Sequence, residues 1–266
     1  METETLIDNT LTFEVESELD NEGRDVRVKM IILSNKVAQM FGGFKINQLN
    51  LYGKTVFEWV KSSAANWPCE VVEYSQNDNV IELVRPCLGN EEITVVVFDD
   101  TPLLRHATLS VLVSEFLSNK QNVKKLKRGY IFKTEYVRSV PNIYAPEIKN
   151  ELIEDFTMIR NIADYHKALA IMKNRIINFH LTKGVLMVDP NSVHIDAEVD
   201  IASGTIIEEN NYLYGNTVVE NDVVLQPNNV VKNSLIGKGA ILCGAYIENA
   251  KINPGTIVER YEKIKL

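Results

Sequence analysis

Apolar and polar positions follow two different periods along the chain. Up to about Gly184, strand-like runs alternate with segments whose apolar residues recur every three or four positions. The runs VRVKMIIL (26–33) and EITVVVF (92–98) predict strands, and the second is typical of a buried parallel strand because TVVVF is continuously apolar. This alternation indicates a mainly parallel sheet that is covered on both faces.

Three segments of the first part have helical spacing. KTVFEWVKSSA (54–64) and TLSVLVSEFLSNK (108–120) predict helices, and the second would turn an apolar stripe inward, made of Leu109, Val111, Leu112 and Phe116. The segment ADYHKALAIMKNRIINFHLTKG (163–184) predicts a long helix, which Gly184 would end. We expect this long helix to connect the first part of the chain to the part that follows it.

After Gly184 the apolar period becomes six. Seven aliphatic residues lie six positions apart, and seven further residues lie two positions before them. The aliphatic set is Ile195, Ile201, Ile207, Leu213, Val219, Leu225 and Val231, and the preceding set is Val193, Val199, Thr205, Asn211, Thr217, Val223 and Asn229. A helix repeats every 3.6 residues and a strand every two, so neither explains seven aliphatic residues in this register, whereas the hexapeptide repeats of a triangular parallel β-coil do. Asn and Gly recur between these positions, where left-handed backbone angles at corners suit them.

These periods divide the chain into four parts. The fold class that we expect is α/β plus β: a Rossmann-like α/β domain followed by a short left-handed parallel β-helix of hexapeptide repeats. The predicted boundaries are an N-terminal extension over 1–28, the α/β domain over 29–161, a connecting helix over 162–184 and the β-helix over 185–266.

Composition narrows the class of protein further. A net charge of −8 argues against nucleic-acid binding, and the only dense basic run, KKLKR (124–128), is expected to be a solvated loop without a partner. Three scattered cysteines match no metal-ligand spacing, and no apolar run is long enough to span a membrane. The acidic first 25 residues lack a basic-then-apolar signal pattern. We therefore expect a cytoplasmic protein that binds neither nucleic acid nor membrane.

Several motifs resemble those of one enzyme family. GVLMVDPNSVHIDAEVDI (184–201) and the stretch 215–252 are similar to the entry and early coils of the β-helix in the bacterial bifunctional N-acetylglucosamine-1-phosphate uridyltransferase/glucosamine-1-phosphate acetyltransferase. DDTPLL (99–104) looks like the family's G-D-x-P-L-L metal-aspartate motif, and MIILSNKVAQM (30–40) lies where its L-A-A-G-x-G-T-R-M loop would be. The resemblance implies a nucleotidyltransferase-like first domain that joins a sugar-1-phosphate to UTP and releases pyrophosphate.

The family's metal ligands have two counterparts here. The resemblance implies that Asp100 holds Mg²⁺ together with Asn161, although Arg160 competes with Asn161 for the second position. Asp100 would follow a buried strand, at the end where open α/β sheets place ligands, and its oxygens suit a hard cation. Two other readings remain open: Asp99 to Pro102 as a turn that ends a strand and caps a helix, and Asn161 as a residue that starts a helix.

The family's phosphate loop is altered. Asn35 and Val37 take the places of its two glycines, and Gln39 takes that of its arginine, which supplied a charged fork. The nucleotide-binding candidates that remain are Ser34, Asn35, Lys36 and Lys45, where Lys36 or Lys45 would replace the lost charge.

Other functional segments of the family lack counterparts. No uracil-contacting stretch is found, the sugar-binding region between Asp100 and Asn161 is short, and Lys127 stands in the place of a substrate-contacting asparagine. The acetyl-CoA site and catalytic histidine of the family belong to later coils, so acetyl transfer is not expected, and His194 is expected to face solvent.

Two functions follow from these comparisons of motifs. The first is a sugar-1-phosphate nucleotidyltransferase homologue, nominally like UDP-N-acetylglucosamine pyrophosphorylase, with an eroded site and weak or altered activity. The alternative is a pseudoenzyme, meaning an inactive oligomeric scaffold or a module that binds a nucleotide or a partner. In both cases a nucleotide or sugar nucleotide is the candidate ligand, and the β-helix predicts a homotrimer, as in related families.

Overall fold

The structure, a computed structural model, describes residues 5–7, 10–12, 25–36, 40–41, 44–75, 77–141 and 154–265. The chain divides into two compact units. Met1–Asn50 and Thr55–Ala168 form the first, which we call the α/β unit, and Leu51–Lys54 and Leu169–Leu266 form the second, the β-helix unit. No helix among the described residues is long and apolar enough to cross a membrane.

The first part of the chain contains eleven short strands and four helices among the described residues. The strands are β1 (Thr5–Ile7), β2 (Thr10–Thr12), β3 (Val28–Asn35), β4 (Met40–Phe41), β5 (Phe44–Lys45), β6 (Asn50–Leu51), β7 (Lys54–Thr55), β8 (Cys69–Tyr74), β9 (Ile93–Phe98), β10 (Val123–Leu126) and β11 (Gly129–Lys133). The helices are α1 (Val56–Ser62), α2 (Val80–Val84), α3 (His106–Ser118) and α4 (Thr134–Ser139), with 3₁₀ turns at Ile46–Gln48, Arg85–Cys87 and Glu154–Phe156.

The central sheet has five strands in the order β10-β11-β9-β3-β8. Strand β3 pairs in parallel with β8 and β9, whereas β11 joins β9 antiparallel and carries β10 on its outer edge. Successive residues of β3 enter two different cores, Met30 and Ile32 on one face and Ile31 and Leu33 on the other. Both faces of the sheet are therefore covered, and the two strands predicted from their apolar runs are confirmed. The prediction of a mainly parallel sheet is wrong, because two of the four pairings between these five strands are antiparallel.

The inward stripe of α3 differs from the prediction at one position. Leu109, Leu112 and Phe116 are buried, but Val111 is 58% exposed, so its assignment to the stripe was wrong. Val113 is buried in its place. Positions three, four and seven residues after Leu109 share one face of a helix, whereas a residue two positions on points away from it.

The basic run 124–128 is not a solvated loop, contrary to the prediction. Its first residues form β10, in which alternate side chains turn inward. Lys124 is buried, and its ammonium donates to Glu115 over 2.7 Å. The last residue, Arg128, lies in the turn between β10 and β11 and pairs with Asp100 over 2.6 Å. Two of the four charges of the run, those of Lys124 and Arg128, are therefore paired with carboxylates, whereas Lys127 is exposed.

The long helix predicted before Gly184 is α5 (Ile162–Thr182). Met172, Ile176 and Phe179 are buried along it, and Gly184 follows its end with a φ of 86°. That backbone angle is costly for residues with a Cβ, so a glycine at this position ends the helix as predicted.

The β-helix unit is made of short strands that pair in parallel with the strand one coil away. The strands are β12 (Leu186–Met187), β13 (His194–Ile195), β14 (Asp200–Ile201), β15 (Ile206–Ile207), β16 (Tyr212–Tyr214), β17 (Val218–Val219), β18 (Val224–Leu225), β19 (Val230–Lys232), β20 (Leu235–Ile236), β21 (Ile241–Leu242), β22 (Tyr246–Glu248), β23 (Lys251–Ile252), β24 (Ile257–Val258) and β25 (Lys263–Lys265). They form three parallel sheets, β12-β15-β18-β21-β24, β13-β16-β19-β22-β25 and β14-β17-β20-β23.

The six-residue period predicts the interior of this unit. All seven aliphatic residues of the period are buried, from Ile195 to Val231, and so are all seven residues two positions before them. Positive φ angles occur at corners such as Asn210, Asn228 and Gly215, where the sequence places Asn and Gly. A parallel β-helix of hexapeptide repeats is thus confirmed.

One row of the interior is polar. The amide of Asn229 donates to the side-chain oxygen of Asn211 over 2.9 Å and accepts the backbone N–H of Ala245 over 2.8 Å. Asn211 in turn donates to the carbonyl oxygens of Leu225 and Gln226. These amides pair backbone groups that would otherwise be buried without partners, and they join successive coils.

Candidate functional site

A pocket of about 230 Å³ opens in the α/β unit at the carboxyl ends of β3 and β9. It is lined by polar and charged side chains with an apolar wall. The lining residues are Asn35, Ile46, Asn47, Asp99, Asp100, Arg128, Met158, Ile159 and Arg160. Open α/β sheets bind ligands at this edge, and Asp100, for which the sequence predicts this location, lines the pocket.

Asp99 lies at the floor of the pocket and is fixed by three donors. Its Oδ2 accepts the Ser34 hydroxyl at 2.7 Å, the Asn47 amide at 3.1 Å and the backbone N–H of Asn35 at 3.3 Å. Burial raises the pKa of the Asp99 carboxyl, and the hydrogen bonds from Ser34 and Asn47 act in the opposite direction. Asp99 therefore holds together the two strand ends and the turn at Asn47.

Asp100 is paired with a guanidinium. Nη2 of Arg128 donates to Oδ2 of Asp100 at 2.6 Å, and Nε lies 3.1 Å from both carboxylate oxygens. The same Nη2 donates to the Tyr74 hydroxyl at 3.2 Å, and the guanidinium carbon lies 3.8 Å from the centre of the Phe98 ring. Burial acts to lower the pKa of Arg128, but hydrogen bonding and the charge of Asp100 outweigh it, so that the pKa is raised.

Gly129 allows Arg128 to reach this position. It has a φ of 142°, and a Cβ built on it would lie 2.1 Å from the carbonyl oxygen of Val96. Only a glycine lets the start of β11 pair so closely with β9. The preceding residue, Arg128, is thereby brought beside the end of β9, where Phe98 and Asp100 lie.

One polar atom at the wall of the pocket has no hydrogen-bond partner among the described residues. The Oδ1 atom of Asn47 is buried and accepts no hydrogen bond from any described residue, although its Nδ2 donates to Asp99. An acceptor in this state is costly unless a ligand or a water molecule donates to it.

The residues present do not fit Mg²⁺ in this arrangement. Both carboxylate oxygens of Asp100 are taken by Arg128, whose charge would repel a cation. The Asn161 side-chain oxygen accepts the backbone N–H of Asp164 at 2.9 Å, and its amide donates to the Asp164 carboxylate. This is the role of a residue that starts a helix, and it is Arg160 rather than Asn161 that lines the pocket.

The predicted capping role of the Asp99 turn is not observed. Helix α3 begins at His106, and its N-cap residue, Arg105, makes no side-chain cap. The turn that contains Asp99 and Asp100 ends β9 and supplies the two carboxylates of the pocket.

The predicted phosphate-binding residues are only partly brought together. Asn35 lines the pocket, and Ser34 lies behind it through its bond to Asp99. Lys36 and Lys45 are exposed and do not line it, and Lys36 donates its backbone N–H to the Tyr74 carbonyl. Val37 and Gln39, which replace residues of the family's loop, lie outside the described residues.

Sequence reasoning missed the most prominent group of the pocket. The basic run that contains Arg128 predicts a solvated loop, and the resemblance to the family points to the neighbouring Lys127, which is exposed. The available signal was the position of Arg128 directly before a glycine and an apolar strand. That strand pairs with β9, which Asp99 and Asp100 follow. Asn47 and Arg160 carried no signal of comparable strength.

His194 of the β-helix unit was expected to face solvent, but its ring packs against other aromatic side chains. Its ring stacks on Tyr52 with 4.9 Å between centroids and lies 5.0 Å from the ring of Tyr214. A ring nitrogen lies 3.2 Å from the carboxylate of Asp196, which is itself buried. The histidine packs against neighbouring aromatic rings because the Leu51–Lys54 segment covers it.

Comparison with known proteins finds similarity to bifunctional protein GlmU. The chain is 33% identical over 90 residues to that of Lactobacillus helveticus, which covers 34% of this chain and 20% of the relative. It is 34% identical over 99 residues to that of Clostridium beijerinckii (37% and 22%) and 30% identical over 112 residues to that of Clostridium botulinum (42% and 24%). No family model matches the chain.

The matched segments span about a fifth to a quarter of the length of these curated relatives. The resemblance that the motifs indicated is confirmed at this level.

Proposed function

We propose that the chain is a homologue of sugar-1-phosphate nucleotidyltransferases whose α/β unit binds a nucleotide or sugar nucleotide in the pocket above Asp99 and Asp100. The nominal ligand is a uridine nucleotide or UDP-N-acetylglucosamine, in keeping with the similarity to GlmU. In this proposal the protein binds the ligand with weak turnover or none.

The observation that carries the proposal is the mixture of donors and acceptors at the carboxyl edge of the sheet. Arg128 and Arg160 supply guanidinium donors for phosphate oxygens, and Asn47 offers a buried acceptor for an N–H or O–H of a base or sugar. Ile46 and Met158 supply an apolar wall against which a flat ring can pack.

Two further observations favour weak turnover. Nucleotidyl transfer requires that charge developing on the triphosphate be neutralised by cations held in fixed positions. Here Asp100, the counterpart of the family's metal aspartate, is neutralised by Arg128, and the loop arginine is replaced by Gln39.

A thermal-shift screen tests binding. Uridine nucleotides and UDP-sugars are added to the full chain at increasing concentration, and the midpoint of unfolding is followed by fluorescence of Trp59 and Trp67, which are both in the α/β unit. A ligand at 100 times its Kd stabilises the folded state by about 2.7 kcal/mol. No shift with any nucleotide or sugar nucleotide would contradict the proposal.

Weak nucleotidyl transfer is a second candidate, and the location of Asp100 at the end of β9 is what favours it. The assay is pyrophosphate release from UTP and N-acetylglucosamine-1-phosphate in the presence of Mg²⁺. Release that disappears in Asp100→Ala but persists in Asp78→Ala, a carboxylate outside the pocket, would establish this function. If no nucleotide–sugar pair releases pyrophosphate, this second candidate fails and the proposed function is binding without turnover.

We also propose that the β-helix unit forms a homotrimer. The outward positions of one of its sheets are all aliphatic, and they stack in register as Leu186, Ile206, Val224, Ile241 and Ile257. The two end residues of this row are 61% and 58% exposed. Contiguous apolar faces of this kind are typical of association surfaces. Light scattering at micromolar concentration should give three times the mass of the chain, and a monomer would refute the proposal.

A further inference from the structure

The guanidinium of Arg128 occupies the position where a cation would have to approach Asp100. It is held from three sides: by the carboxylate of Asp100, by the hydroxyl of Tyr74 and by the face of the Phe98 ring. These partners come from the ends of β8 and β9, and the close approach at Gly129 brings the arginine to them. The sheet thus fixes the position of the Arg128 side chain.

The hydrogen bonds of Arg128 leave part of its donor capacity unused. Nε and Nη2 are engaged with Asp100 and Tyr74, whereas Nη1 has no hydrogen-bond partner among the described residues. The side chain is 27% exposed and lines the pocket, so solvent and small ligands reach it. A guanidinium binds phosphate oxygens strongly and keeps its charge at every pH at which the protein is folded.

The charge of the site follows from this pairing. Asp100 alone would repel a phosphate, and a metal-dependent site overcomes that repulsion with a divalent cation. Here the repulsion is already cancelled by Arg128, and a metal ion would have to displace a bidentate guanidinium to reach the carboxylate. The protein carries its own cation where the related enzymes would need an added one.

We propose that Arg128 replaces the divalent cation in this pocket, so that a phosphate- or diphosphate-containing ligand binds through the guanidinium without any metal ion. This inference rests on the proposed function for the identity of the ligand. The inference also contains a second claim, that Arg128 excludes metal from Asp100. This claim concerns the protein alone and is tested without a nucleotide.

The first experiment measures metal binding. Mn²⁺ is titrated into the full chain, and the free ion is followed by electron paramagnetic resonance. We expect Arg128→Gln to gain one Mn²⁺ site at least about tenfold tighter than any site of the unmodified protein at this position, because charge-assisted hydrogen bonds no longer have to be broken. The double variant Arg128→Gln with Asp100→Asn should lose that site.

The matched control is Lys127→Gln. It removes the same charge one residue earlier, from an exposed side chain that does not line the pocket, and it should not create a Mn²⁺ site. Equal Mn²⁺ affinity in the unmodified protein and in Arg128→Gln, lost in both when Asp100 is changed to Asn, would overturn the proposal. If Arg128→Gln does not fold, Arg128→Met serves, since it also removes the charge and keeps an unbranched side chain.

The second experiment measures binding of UDP with EDTA and with Mg²⁺ by calorimetry. The unmodified protein should bind with affinities that agree within about twofold, and Arg128→Gln should bind at least about tenfold more weakly in EDTA. Asp100→Asn should retain or strengthen binding in EDTA, because the guanidinium then has no carboxylate partner. Binding that needs Mg²⁺ and is lost in Asp100→Asn would overturn the proposal.

The two experiments separate the two claims. If the protein binds no uridine nucleotide, the proposed function fails, whereas the Mn²⁺ titration still decides whether Arg128 excludes a metal. If UDP binds only with Mg²⁺, the proposed function stands and the role assigned to Arg128 is wrong.

Discussion

His180 gives the β-helix unit a stability that depends on pH. The residue lies near the end of α5, is fully buried, and neither of its ring nitrogens has a hydrogen-bond partner among the described residues. Burial lowers the pKa of this imidazole to about 4; the charge of Lys183 lowers it further, while that of Asp200 acts in the opposite direction. The folded protein therefore holds His180 neutral at pH values where an unfolded chain would protonate it.

The sign and the size of the effect follow from linkage. The stability that depends on His180 is fully present above pH 6.5, declines as the pH falls toward 4 and stays constant below that value. The reason is that between pH 6.5 and pH 4 only the unfolded state binds the proton. Between pH 7 and pH 5 the free energy of unfolding should fall by about 2 kcal/mol from His180 alone, and by about 3 kcal/mol in full at lower pH.

The assay is urea unfolding of the full chain at pH 7 and pH 5. Far-UV circular dichroism reports on both units, whereas tryptophan fluorescence reports on the α/β unit, which contains both tryptophans. His180→Leu removes the titrating group. The free energy of unfolding of this variant should therefore fall by about 2 kcal/mol less between pH 7 and pH 5 than that of the unmodified protein. His166→Gln, an exposed histidine on the same helix, should retain the full pH dependence. Equal pH dependence in the unmodified protein and in His180→Leu would refute this reasoning.

The remaining predictions concern a buried amide and a glycine. Asn229→Ala leaves the backbone N–H of Ala245 and the side-chain oxygen of Asn211 without this partner, so unfolding of the β-helix unit, followed by circular dichroism, should become about 3 kcal/mol easier. Gly129→Ala places a Cβ against the carbonyl of Val96. The free energy of unfolding measured by tryptophan fluorescence in urea should therefore fall by more than the roughly 1 kcal/mol that backbone strain alone costs.

Each of these substitutions has a control that isolates its cause. Asn221→Ala removes an exposed amide from the same unit and should change stability by less than about 0.5 kcal/mol. Gly255→Ala tests positive φ without a clash, since a Cβ there meets nothing within 4 Å. Equal effects of Asn229→Ala and Asn221→Ala would contradict the role of the buried hydrogen bonds. Equal effects of Gly129→Ala and Gly255→Ala would contradict the role of the clash with Val96.

The β-helix could be predicted from the sequence because each coil repeats the same contacts. A residue such as Leu213 meets its counterpart one coil away, so the same physical requirement appears at a fixed spacing and is visible without any knowledge of the fold. The polar row through Asn211 and Asn229 shares this period, but its pairing could not be predicted, because alanine at position 245 continues the row through its backbone N–H.

The pocket was harder to predict because its residues meet only through the tertiary structure. Asp100 is the exception, because DDTPLL resembles a family motif and a carboxylate after a buried strand is a local pattern. Arg128 is 28 residues away and reaches Asp100 from an antiparallel hairpin. The four basic residues of the run 124–128 look alike until the strand register places Lys124 inward and Arg128 in the turn. Val111 is a different case: helical spacing from Leu109 already places it on the exposed face of the helix, so the prediction was wrong for a local reason.

The most direct test of the account is whether a nucleotide binds in the pocket of the α/β unit. Met158, which lines the pocket and is not fully buried, can be changed to tryptophan to fill the space, and Val111→Trp on the exposed face of α3 is the matched control. We predict that calorimetry detects one saturable site per chain for UDP or UDP-N-acetylglucosamine, that Met158→Trp abolishes it, and that Val111→Trp leaves it unchanged. No binding of either ligand, or binding that survives Met158→Trp in a folded protein, would contradict the central claim.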